Sequence, residues 1–142
     1  MGILNTIQNL LSAISQNQKI MPKVENILAE LISTVLKGGI IDYYEEVFQM
    51  VQILTALRVS SVMWNVLFQI HEAFKNEGHD YFTDMMGGLH NYATVDSDKF
   101  LSNPQYVEIM YNIAKTVLKE EDSEDPQYNA LKLIEVIIIN HR

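Results

Sequence analysis

Apolar residues recur at helical spacing along almost the whole chain, as pairs of stripes that repeat about every 40 residues. Ile3, Leu4, Ile7, Leu10, Leu11 and Ile14 form the first stripe, and Val24, Ile27, Leu28, Leu31, Ile32, Val35 and Leu36 the second. Steps of three and four place each set on one face of a 3.6-residue helix. The third stripe is Ile40, Ile41, Tyr44, Val47, Phe48, Val51 and Leu54, with Glu45, Glu46, Gln49 and Gln52 facing away. The fourth is Val62, Met63, Val66, Leu67, Ile70 and Phe74, which Trp64 and Phe68 widen enough to predict burial on more than one side. Tyr81, Phe82, Met85, Met86, Leu89 and Tyr92 make a fifth. A helix with so wide an apolar face must bury it against a neighbour.

The punctuation between stripes agrees with this reading. Helices are predicted over about 3–16, from Pro22 to Lys37, over 40–57, and from Ser60 or Ser61 to Gly78. Others follow Asp80, start at Asn103-Pro104 and run to about Lys119, and start at Asp125-Pro126 and run to the end. Pro22 suits a first turn, and Gly38-Gly39 a left-handed stop. Asp80 is the expected cap of the fifth helix, within which Gly87-Gly88 predicts a kink or a close crossing. Thr94 to Asn103 reads as a loop with a short helical turn at Ser97 to Leu101. Asn103-Pro104-Gln105-Tyr106 and Asp125-Pro126-Gln127-Tyr128 look alike because both combine an N-cap with a proline.

Helix pairs at this period predict an all-α, HEAT-type helical-repeat solenoid of about seven helices in three and a half repeats. The chain reads as one segment, 1–142, with repeats near 1–38, 39–78, 79–119 and 126–142. The last repeat has only its first helix, which ends in the all-apolar run Val136-Ile137-Ile138-Ile139. Terminal repeats normally carry a polar outer face. Neither end here does, so the expectation is a piece of a longer solenoid.

A solenoid works as a surface, and the composition agrees. At 48% apolar and 20% charged residues, the chain is not a disordered tail. Its net charge of −8 is uneven: residues 1–40 sum to +1 and the remainder to −9, with five acids between Glu120 and Asp125. Such a protein repels phosphate backbones, so no direct nucleic-acid binding is expected and basic proteins are the natural partners. No apolar run approaches the roughly 18 residues of a membrane span. There is no cysteine, hence no thiolate metal site. His71-Glu72 begins a zinc-protease pattern, but Lys75 stands where the second histidine belongs. His79 and Asp80 read as a loop and a cap rather than as an acid–base pair. The glycine pairs lack the spacing of a phosphate loop. No catalytic set, metal or cofactor is expected, and the Met85-Met86 pair, Trp64 and the seven tyrosines read as core.

Binding residues are sought instead on the polar faces of the second helix of each repeat. These read Asn26, Glu30, Ser33, Lys37; then Asn65, Gln69, Glu72, Asn76; then Glu108, Asn112, Lys115, Lys119. The bland reading is a solvated face. The functional one is a concave surface whose amides and carboxylates hold extended or basic partners. Asn26, Glu30, Asn65, Gln69, Glu72, Asn76, Glu108 and Asn112 are the candidate protein-contact residues.

Several stretches resemble one family. Asp42-Tyr43-Tyr44-Glu45-Glu46-Val47-Phe48, Asp80-Tyr81-Phe82-Thr83-Asp84-Met85-Met86 and Leu89-His90-Asn91-Tyr92-Ala93-Thr94-Val95-Asp96 resemble the importin seven/eight branch of the importin-β nuclear transport receptors. The resemblance covers nearly the whole chain and departs at Gly87-Gly88, where the family pattern has proline and leucine. It implies an internal piece from the C-terminal half of a longer receptor that shuttles between cytoplasm and nucleus. Such receptors carry basic cargo, including ribosomal proteins and histones, dock on phenylalanine–glycine nucleoporins, and release cargo to the Ran GTPase. The principal Ran contacts lie in N-terminal repeats that are absent here. The competing reading is a HEAT scaffold for protein assembly without nuclear transport.

Overall fold

The computed structural model describes residues 5–7, 9, 10, 13, 17, 19–120 and 124–140. Residues 5–7, 9, 10 and 13 are helical, which matches the expected first helix at those positions; the rest of it lies outside the described residues. Seven α-helices follow: α1 (Met21–Gly38), α2 (Tyr44–Thr55), α3 (Ser61–Ala73), α4 (Phe82–Thr94), the short α5 (Ser97–Ser102), α6 (Pro104–Leu118) and α7 (Glu124–Asn140). No strand occurs among the described residues.

The helices form two layers. α1 packs on α3 and α3 on α6; α2 packs on α4 and α4 on α7. Alternate helices thus share a layer, and each hairpin supplies one helix to each. This is the all-α, HEAT-type solenoid. The core runs between the layers through Ile32, Phe48, Met63, Leu67, Leu89, Phe100, Met110, Ile113 and Leu133.

Local signals explain most helix ends. Pro22 lies in the first turn of α1, and Gly39 ends that helix at φ +62°. Only glycine adopts this left-handed conformation cheaply. A Cβ at Gly39 would also sit 2.7 Å from a Glu77 carboxylate oxygen. Ser60 caps α3 by accepting from Met63 N at 3.3 Å, Asp96 caps α5 from Lys99 N at 3.2 Å, and Asn103 caps α6 from Gln105 N at 3.0 Å.

Several expectations are corrected. Ile40 and Ile41 are exposed, because the chain turns at Gly39 and passes through a 3-10 turn (Ile41–Tyr43) before α2 starts. Glu46 is half-buried instead of facing away. The α-helical part of α3 stops at Ala73 and continues as a π-helical turn over Phe74–Gly78. Asp80 lies in a 3-10 turn, His79–Tyr81, and does not cap α4. α7 starts at Glu124, so Asp125 is inside the first turn and does not repeat the role of Asn103. Tyr43, Tyr111 and Tyr128 are exposed; only Tyr44, Tyr92 and Tyr106 join the buried core.

Gly87-Gly88 makes a close crossing, and α4 runs through it unbroken. A Cβ on Gly88 would lie 3.0 Å from Val51 Cγ1, and one on Gly87 would lie 2.4 Å from the end of the Gln52 side chain. Asn91 locks the same crossing by donating to the Gln52 carbonyl at 2.9 Å and to Thr55 Oγ1 at 3.2 Å. In the other layer the α3–α6 joint is aromatic. Trp64 stacks on Tyr106 with ring centroids 4.4 Å apart, and Phe68 leans on the same ring at 5.7 Å.

The two glycines should respond differently to substitution. Gln52 is exposed and its tip can swing away, so Gly87→Ala should be neutral or stabilising by up to about 1 kcal/mol from helix propensity. Val51 is packed on all sides, so Gly88→Val should cost about 1–3 kcal/mol through overpacking. Urea unfolding of the two variants beside the parent checks both outcomes.

Candidate protein-contact groove

α1 and α3 lie side by side, and their polar faces meet in an open groove. One stretch, with a volume of about 280 Å3, is lined by Asn26, Ala29, Glu30, Ser33, Val62, Asn65, Val66 and Gln69. The next, about 320 Å3, is lined by Leu36, Lys37, Phe68, Gln69, Glu72, Ala73 and Asn76. Gln69 belongs to both and joins them. Six of the eight candidate residues, Asn26, Glu30, Asn65, Gln69, Glu72 and Asn76, therefore line one continuous channel. Each stretch is at or below the small end of volumes that engulf a small molecule. Its length along two helices suits an extended segment instead.

The remaining two candidates sit apart. Glu108 and Asn112 lie on α6, and Glu108 borders a different, apolar groove made with Leu101, Val107, Tyr111 and Ile138. Between α3 and α6 the joint is made by stacked rings, Trp64 on Tyr106.

The hydrogen-bonding capacity of the channel is partly used. Asn76 Nδ2 donates to the Glu72 carbonyl at 2.9 Å, which holds the amide against its own helix. The Glu72 carboxylate pairs with Lys75 at 2.5 Å, and that hydrogen bond lowers its pKa. Among the described residues, the side chains of Asn26, Glu30 and Asn65 make no hydrogen bond. Gln69 Oε1 is buried and has no partner there either. Such an acceptor is stabilised when a donor reaches it. The channel is thus richer in amides than in net charge: Glu30 and Glu72 stand against Lys37. Much of the negative charge lies in the other layer and its corners, at Asp42, Glu45, Asp80, Asp84 and Glu135.

Sequence reasoning missed Glu25. It lies 2% exposed beneath the channel, where Ser60 Oγ donates to its carboxylate. Its second oxygen has no partner among the described residues. The signal was available, since position 25 falls on the buried stripe of Met21, Leu28 and Ile32 at helical spacing. Nearby, Tyr92 donates to the Met63 carbonyl at 2.6 Å; burial, then the Glu25 charge, pushes its phenol pKa well up.

An open, two-layer helical stack with an amide-lined channel is an α-helical-repeat solenoid. Its sequence places it more closely: the chain belongs to the importin-β family. It is 40% identical over 139 residues to Importin-8 of Mus musculus, covering 98% of this chain and 14% of that protein. The identity to Importin-8 of Danio rerio is 40% over 145 residues, covering 100% of this chain and 14% of the relative. An importin beta-like SAD2 homolog of Arabidopsis thaliana is 24% identical over 142 residues. The chain thus spans about one seventh of the length of the relatives it matches. These relatives are importins by name. No family model matches the chain, and no solved structure does.

His71, on α3 beside Glu72, is half-buried, and burial followed by Lys75 lowers its pKa despite Glu72 and Glu108. The fold therefore favours the neutral ring. The resulting stability is present above the unfolded value of about 6.5 and is lost as pH falls through the lower folded value. An NMR titration should place the His71 midpoint below 6.5, and His71→Gln should remove that share of acid sensitivity.

Proposed function

We propose that this chain is a segment of a nuclear import receptor, and that the α1–α3 channel is one of its cargo-contact surfaces. The identity to Importin-8 along nearly the entire chain is the observation that carries the transport reading. The open channel, in which the side chains of Asn26, Glu30 and Asn65 make no hydrogen bond among the described residues, supports the contact reading. Asn26, Asn65 and Gln69 would bond the backbone of an extended cargo segment, and Glu30 and Glu72 would face its lysines. Glu108 and Asn112 would meet the same cargo further along, across the α3–α6 joint. The acidic residues of the other layer and the 120–125 corner would attract basic proteins, such as histones and ribosomal proteins, before docking.

The chain would act within a longer solenoid, with repeats near 1–38, 39–78, 79–119 and 126–142 continuing on both sides. The exposed apolar side chains Ile27 and Leu31 at one end and Tyr111 and Ile138 at the other support that continuation. The whole receptor would shuttle between cytoplasm and nucleus, dock on phenylalanine–glycine nucleoporins and release cargo to the Ran GTPase.

A fluorescent, lysine-rich histone-tail peptide tests the channel by titration into the chain. Binding should weaken with salt, and Glu30→Gln with Asn65→Ala should weaken it about tenfold, the equivalent of about 1.4 kcal/mol. Unchanged affinity in that double variant would remove the channel from the contact surface. Retention of the chain on phenylalanine–glycine repeats would speak for pore transit; flow-through would favour a scaffold.

A further inference from the structure

The α1–α3 channel carries one open charge of each sign, and a single helix fixes their spacing. Glu30 lines the first stretch and Lys37 the second. They are two helical turns apart in the sequence, so they lie on one face of α1, about 10.5 Å apart along its axis. Neither makes an ion pair among the described residues. Glu72, which lines the same stretch as Lys37, is taken by Lys75 of its own helix at 2.5 Å. Lys23, two turns before Glu30, lines neither stretch. Gln69 borders both stretches, and its Oε1 is buried without a partner among the described residues.

A polybasic segment fits this layout poorly. A lysine at Glu30 is attracted, and a second lysine beside Lys37 is repelled. The spacing also selects a backbone. In a strand, residues three apart point to opposite faces, and residues two or four apart are separated by about 6.6 or 13 Å. A polyproline II segment brings every third residue to one side at a step of about 9.3 Å, close to the step from Glu30 to Lys37. Its backbone makes no internal hydrogen bonds. An N–H between the two charged residues is therefore free to satisfy Gln69 Oε1.

We propose that the channel selects a polyproline II segment with a basic and an acidic side chain three residues apart. The basic one sits on Glu30, the acidic one on Lys37, and a backbone N–H between them on Gln69. This rests on the reading of the channel as a cargo-contact surface. It narrows the bound segment from a basic one to one of mixed charge, and places its basic side chain at Glu30.

Two short, proline-rich peptides test it. One carries a lysine and a glutamate three positions apart with a non-proline residue between them; the other has a second lysine in place of the glutamate. Each is titrated at low salt into the isotope-labelled chain, and NMR follows the side-chain amides of Asn26, Asn65 and Gln69. The lysine–glutamate peptide should move these signals and bind about fivefold tighter, the difference between an exposed ion pair and a like-charge contact. Lys37 is exposed, so Lys37→Glu leaves the packing intact and should reverse the preference. Damage to the channel would instead weaken both peptides alike. Equal binding, tighter binding of the two-lysine peptide, or an unchanged preference in Lys37→Glu would overturn the proposal. The moving amide signals would then still uphold the contact surface. Signals that move with neither peptide would overturn both readings.

Discussion

Each helix in the two layers depends on the next helix of its own layer. A single amphipathic helix of 12 to 18 residues is marginal in water, and here a hairpin covers only part of each apolar face. The rest is covered within the layer, by α3 on α1 and by α4 on α2. Stability is therefore shared between neighbours and not held in any one hairpin. The same rule leaves apolar side chains open wherever the stack has no further neighbour, as at Ile27 and Ile138.

The joints between successive helices are not alike. In one layer, α2 and α4 approach through Gly88 and are pinned by Asn91 on the Gln52 carbonyl. In the other, α3 and α6 meet through the stacked rings of Trp64 and Tyr106, with the Tyr92 hydroxyl on the Met63 carbonyl beneath. The first joint is set by a glycine crossing and directional hydrogen bonds, the second by stacked rings. The six residues between α1 and α3 line one channel, and Glu108 borders another groove.

The channel owes its character to what the core does not take. The buried stripes use the apolar residues of α1 and α3, and the residues left over on the facing rims are amides, two glutamates and a lysine. Two of these groups are already held, Asn76 by its own helix and Glu72 by Lys75. What remains is a row of hydrogen-bonding groups suited to a peptide backbone, in which charge is a minor part. The acidity of the chain is mainly a property of the other layer and its corners, where it acts at a distance and not by contact.

The all-α class and the glycine, serine and asparagine boundaries at Gly39, Ser60 and Asn103 were legible in the sequence, because stripes at 3.6 spacing and capping chemistry are local. So were six channel residues, since helical periodicity alone puts them opposite the core. What the sequence left undecided depends on neighbours distant in the chain. Periodicity placed Ile40 and Ile41 in a helix, but the left-handed turn at Gly39 carries them outside it. It treated every tyrosine as core, yet Tyr111 and Tyr128 stay exposed. It offered a kink or a crossing at Gly87-Gly88, and only the approach of α2 selects the crossing. It did not mark Glu25 as buried, although the position falls on the buried stripe of α1; what the sequence could not supply is its partner Ser60, 35 residues away. Local chemistry thus determined the helices and their polar faces. Packing between layers decided which faces meet, and hence which side chains form one channel and which stand apart.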